Sequence, residues 1–135
     1  MSKEILALLE QVNHDEMVIE FELQPMAGND DIIQVIVKDQ EEFPINITTT
    51  EDELICMVKL FDADEIKDNA KDEMHDVMLS ANLALPLSSF GKIGTTYMLF
   101  GALSAGSKAK DIGLEIETLA SNTLEAIALV TDYLK

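Results

Sequence analysis

Between Met17 and Leu60 the apolar residues fall into short runs that recur mostly at every second position. A period of two puts alternate side chains on opposite faces of an extended chain, so this half is committed to a sheet. In MVIEFELQ, Met17, Ile19, Phe21 and Leu23 share one face. PMAGNDD follows, with the turn formers Pro25, Gly28 and Asn29. IIQVIVK is β-branched and almost wholly apolar, as a central strand would be. Phe43, Ile45, Ile47 and Thr49 alternate again, with Pro44 marking an edge or the start of the strand. After a turn at Thr50–Glu53, Leu54, Cys56, Val58 and Leu60 make a fourth strand. The short connections predict an antiparallel meander.

Helical spacing brackets this region. Ile5, Leu6, Leu8, Leu9 and Val12 give a short amphipathic helix over 3–13, with Ser2 as a cap and Asn13–His14 at its end. The run from Asp62 to Leu85 places Ile66, Ala70, Met74, Val77, Met78 and Ala81 on one stripe. Asp62 and Glu65 have capping-box spacing, and Pro86 stops the helix. TTYMLFGALS then reads as a strand. Gly106–Ser107 would turn it into a second strand through Ile112, Leu114 and Ile116, with Glu115 and Glu117 facing water. A helix is the alternative over 108–120. Asn122 and Glu125 have cap spacing for a last helix carrying Leu124, Ile127, Ala128, Val130 and Leu134. The expectation is one acidic α+β domain over 1–135. Its helices pack on an antiparallel sheet, in the order α-β-β-β-β-α-β-β-α.

Charge narrows the function. Nine basic and 26 acidic side chains give a net charge of −17. Nucleic-acid affinity depends on Lys and Arg displacing counterions from phosphates, so nucleic acid is a poor partner. Anionic lipid is equally poor. A basic protein surface or a cation suits such a chain. The single cysteine, Cys56, permits no internal disulfide. The apolar run near the N-terminus is broken at Glu10 and is too short for a signal peptide or a membrane span, so a reducing cytoplasm is expected.

LPLSSFGKIGTT, residues 85–96, holds a Gly-Lys and a Gly-x-x-Gly. A phosphate-binding loop would need glycine where Pro86 stands and a hydroxyl where Ile93 stands. Gly91-Lys92-Ile93-Gly94 matches the backbone clamp of KH domains, but one lysine in so acidic a chain grips phosphate poorly. The stretch therefore reads as a turn between Pro86 and a strand starting near Thr95.

No catalytic constellation emerges, and no catalytic, cofactor or metal residue is assigned. Cys56 sits on the buried strand face with no local base. Ser88 and Ser89 do not form a nucleophile elbow. Asp62-Ala-Asp64 begins like a calcium loop but fails at Ile66 and Lys67. Gly28-Asn29-Asp30-Asp31 clusters oxygen donors where a hairpin turn suffices. Asp72 and His75, three apart on a helix, are the one metal-ligand spacing, and they carry the alternative reading of a divalent-cation-binding protein or metal-dependent enzyme. His14 at a helix end favours the dipole. Met57, Met74, Met78 and Met98 fall on apolar stripes and read as core filling.

LPLSSFG, YMLFGALS and DIGLEIETLASNTLEAI resemble a YjfI-like bacterial family of unknown function, most clearly over 85–128. The element order is similar to the secretion-chaperone type of fold shared by YbjN-like proteins. The resemblance implies a small soluble protein, often encoded beside relatives of the coiled-coil phage shock protein A, on a fold that often dimerises. No catalytic residue is carried over from it. The expected function is a non-enzymatic cytoplasmic binding module or adaptor. A phage-shock-protein-A-like protein is its implied partner, and a homodimer is the alternative assembly.

Overall fold

The computed structural model describes residues 6–11, 21–26 and 29–135. Residues 6–11 are helical (α1). The strands are β1 (Phe21–Met26), β2 (Asn29–Val37), β3 (Ile45–Thr49), β4 (Glu53–Asp62), β5 (Ser89–Ile93) and β6 (Thr96–Ser104). The remaining helices are α2 (Lys71–Ala81) and α3 (Ala109–Val130). Ser2, Ile5, Val12–His14, the 17–20 part of the first predicted strand, and Gly28 lie outside the described residues.

All pairings are antiparallel, in the order β1-β2-β3-β4-β6-β5. The first four strands form the predicted meander. β6 then pairs with β4, and β5 folds back onto the far edge. Pro44 stands just before β3, an interior strand, so it marks a strand start and not an edge. Thr50 closes the β3–β4 turn: its Oγ1 accepts from the Glu53 N–H at 3.0 Å.

Period two does what it must. Val35, Val37, Ile45, Ile47, Leu54, Cys56 and Val58 project from one face and are buried. Leu9 of α1 packs into this core with no exposure. α3 lies across β4 and β6, and α2 packs beside α3. Ile112, Ile116, Leu119, Ala126 and Val130 form the α3 stripe facing the sheet.

The predicted element order holds, and the strand expected over TTYMLFGALS is β6, but the other late strand is a different segment. The expected strand through Ile112, Leu114 and Ile116 is instead the first half of α3, one continuous helix of 22 residues. Its alternation fits a strand and a helix equally well over so short a span. The compensating strand, β5, lies within the stretch read as a turn. The glycines there do different jobs. Gly94, at φ +59°, makes the β5–β6 hairpin turn. Gly91 lies within β5, where an added Cβ would come 2.9 Å from the Phe100 ring.

The helix predicted from Asp62 is also shorter. Glu65 reaches back to the Asp62 N–H at 2.7 Å as a cap should, but it caps only a 3₁₀ turn, Ala63–Glu65. Ile66 is then drawn into a β-bridge with Leu134, and the Lys67 N–H donates to the Tyr133 carbonyl. Tertiary pairing to the C-terminus therefore postpones the α-helix to Lys71. That helix ends at Ala81, five residues before Pro86.

Candidate functional site

Two concavities flank α2. The larger, about 550 Å³, is a groove between α2 and α3. Val77 and Ala81 of α2, Ala84 and Leu85 of the following loop, and Leu129 of α3 line it, with Asp76 and Glu125 among its polar residues. Leu79, Leu83, Leu87, Leu114, Leu124 and Leu129 are exposed on α2, α3 and this loop, Leu83 almost completely. Most exposed large apolar side chains of the described residues thus belong to these two helices and the connection between them. Unpartnered apolar surface of this kind marks interaction sites.

The loop that shapes the groove is held from α3. Asn122 is buried, and its Nδ2 donates to the Pro86 carbonyl at 2.7 Å and to Ser88 Oγ at 3.0 Å. Between these anchors Leu87 adopts φ +62°, a left-handed conformation that costs a branched residue about 1–2 kcal/mol. The Asn122 bonds oppose that strain. Asn122→Ala is expected to destabilise the protein by about 1–3 kcal/mol, since it leaves the buried Ser88 hydroxyl and the Pro86 carbonyl without their partner. Urea unfolding reads the loss, and faster amide exchange over 83–89 reads the loosened loop.

The smaller concavity lies between α2 and the β5–β6 hairpin. His75 Nε2 and Tyr97 Oη are 2.7 Å apart there, and the Tyr97 ring stacks on Phe61 with centroids 4.9 Å apart. Burial holds the Tyr97 phenol above its ordinary value.

The metal reading fares differently. Among the described residues, Asp72 and His75 do not converge with a third ligand. His75 is engaged with Tyr97 instead. The acidic side chains that do converge among the described residues are Asp62, Asp64 and Glu65. Two of them have structural tasks. Asp62 takes a hydrogen-bonded ion pair from Lys59 at 3.0 Å and a bond from Thr96 Oγ1 at 2.9 Å, which hold its carboxyl below the usual range. Glu65 caps the 3₁₀ turn.

Cys56 is fully buried, and burial, with the nearby Glu115 carboxylate adding to it, pushes its thiol far above the usual range. That is the setting of an inert core thiol. Glu115, expected to face water, is 1% exposed. Its Oε1 has no hydrogen-bond partner among the described residues, and burial pushes its carboxyl up to about 7. A helical reading of 108–130 was the available signal for Glu115 and Asn122, because it puts both on the stripe of Ile112, Ile116 and Leu119. Met74, Met78 and Met98 are buried as expected. No helix of the described residues is long and apolar enough to cross a membrane.

The family model described as an uncharacterised protein conserved in bacteria (DUF2170) matches residues 2–134. Two Escherichia coli proteins, YjfI of strain K12 and YjfI of strain O157:H7, are each 28% identical over 112 residues, which cover 80% of this chain and 83% of each relative. Among solved structures, a chain of the heterodimeric ExoU-SpcU complex from the type III secretion system of Pseudomonas aeruginosa aligns with a TM-score of 0.62 at 12% identity, covering 91% of this chain and 94% of that one. YbjN from E. coli, described as a candidate transcription regulator, aligns with a TM-score of 0.68 at 10% identity, covering 95% and 92%. The fold is therefore of the secretion-chaperone-like type, as the resemblance implied.

Proposed function

This chain belongs to the DUF2170 family of bacterial proteins, and from that premise we propose that it is a non-enzymatic binding module that docks a protein segment in the α2–α3 groove. The observation that carries this reading is the apolar groove of Val77, Ala81, Leu85 and Leu129, with Asp76 and Glu125 among its lining, on a chain of net charge −17. Its occupant is an amphipathic segment with apolar anchors flanked by Lys or Arg. The anchors fill the groove, and the basic flanks are steered in by the acidic surface. A likeness to a chain of a two-protein secretion complex supports protein binding. The finer part of the proposal is a cytoplasmic setting with a phage-shock-protein-A-like partner, a coiled-coil protein able to present such a segment.

Purified protein and its Leu129→Asp variant, each passed over lysate of the source bacterium at low and high salt, test this. One dominant partner is expected on the wild-type protein, weakened by salt. Leu129→Asp should lose it by tenfold or more, because it places a charge at an apolar anchor position. Equal capture by both proteins, or recovery of the chain alone, overturns the groove. Direct titration with a phage-shock-A-like protein decides that partner separately.

A further inference from the structure

The concavity between α2 and the hairpin shares no lining residue with the groove, and its charged lining residue is Lys92 where the groove has Asp76 and Glu125. It encloses about 190 Å³. Met78 and Phe90 supply apolar lining and are nearly buried, as is the ring of Tyr97. The polar groups of the pocket include hydrogen-bond donors. Asn82 Oδ1 already accepts the Phe90 N–H at 2.7 Å, so the side chain has its Nδ2 hydrogens to offer. His75 Nε2 and Tyr97 Oη share one hydrogen bond, and whichever of them gives the proton, the pair keeps one N–H or O–H for a ligand. Lys92 Nζ stands 5.5 Å from the centroid of the Tyr97 ring and makes no ion pair among the described residues. By contrast, Lys59 is tied to Asp62, and Lys67 to the Asp132 carbonyl. No lining residue is acidic, in a chain with 26 acidic side chains.

We propose that this pocket binds a small-molecule carboxylate carrying a compact apolar group. The apolar part lies on Met78 and Phe90, and the carboxylate meets Lys92 with the Asn82 amide and the His75–Tyr97 pair beside it. Charge-assisted bonds to a carboxylate are about twice as strong as neutral ones, which suits a rim holding a lysine. The volume sets the size. It is below the roughly 300–1,000 Å³ of drug-sized sites, so the ligand has one small ring or a short chain. The net negative charge of the chain works against any anion, and Asp72 and Asp76 stand exposed on α2 near His75. At physiological salt that repulsion is screened over about 8 Å, leaving the local donors to decide. The site is independent of the protein-docking groove.

The test uses the full chain and 3-phenylpropanoate as probe at about 0.15 M salt, followed by amide and methyl NMR. Saturable shifts are expected at Met78, Phe90, Gly91, Lys92 and Tyr97, with a Kd of about 1 mM or tighter. The neutral 3-phenylpropanamide should bind at least tenfold more weakly. Lys92→Gln, at an exposed position on the edge strand, should cost the carboxylate a similar factor while leaving the spectrum folded. Shifts that rise linearly to ~10 mM, equal binding of the amide, or an unchanged affinity in Lys92→Gln each overturn the proposal.

Discussion

Glu115→Gln is expected to stabilise the protein by about 3 kcal/mol at about pH 8 and to change it little near pH 4.5. Glu115 is buried on the sheet-facing side of α3, with its Oε1 unpartnered among the described residues. Its titratable neighbour on β4 is Cys56, a neutral thiol, and among the described residues no cation pairs with the carboxylate. Burial raises the carboxyl from 4.5 to about 7. Between those values the folded protein holds a proton that the unfolded chain has released. Stability from this group is therefore fully present below pH 4.5 and is lost as pH rises through about 7. A shift of that size corresponds to about 3 kcal/mol, since one pKa unit is worth about 1.4 kcal/mol. Glutamine keeps the shape of the protonated form and cannot ionise. Urea unfolding of both proteins across this pH range checks it. Parallel stability–pH curves would show that the Glu115 carboxyl has the same pKa in the folded and the unfolded chain, and would overturn the derivation. The comparison with the variant is essential, because a chain of net charge −17 also gains self-repulsion as its other carboxylates ionise.

The same residue shows where the sequence was legible and where it was not. The four strands from β1 to β4 were readable because alternate burial needs only one face and short turns. Val35, Ile47 and Cys56 then had to share the core face once their strands paired. Local signals failed where distant pairing decided the outcome. The β-bridge between Ile66 and Leu134 overrode a good capping box and cut a predicted helix short. Ser89–Ile93, with Gly91 inside it and Gly94 just after it, became an edge strand because β6 offered it an antiparallel partner. Ile112–Ile116 satisfied period two by coincidence, because so short a span fits either period. The structure buries Gly113 and Glu115 together and leaves Leu114 half exposed, the reverse of the strand expectation. The groove could not be read from sequence at all. Its lining comes from residues 76–85 and 125–129, which become neighbours only through the packing of α2 on α3. The donor pocket joins His75 to Tyr97 and Lys92 in the same way.

Gly101→Ala should be about as damaging as the Glu115 charge, and for a connected reason. Gly101 pairs with Cys56 in the β4–β6 register, directly where α3 crosses the sheet. A methyl group there would sit 2.7 Å from the Leu87 carbonyl oxygen and 2.9 Å from Glu115 Cδ, with Glu115 Oε1 closer still. The carboxyl is buried and cannot swing into solvent without lifting α3. The Leu87 carbonyl belongs to the loop held by Asn122. Overpacking of this kind costs about 1–3 kcal/mol, and the backbone contact places Gly101→Ala at the upper end. Glu115→Ala removes two of the three clashes, so the double variant should be less destabilised than the sum of the two single effects. A coupling of about 1–2 kcal/mol is the expected size for groups in direct contact. Denaturant unfolding of the four proteins in the cycle, at one pH below 7 to keep Glu115 protonated, measures it. If Gly101→Ala unfolds within about 0.5 kcal/mol of the parent, Glu115 does not lie against β6, and the stability–pH dependence derived above falls with it.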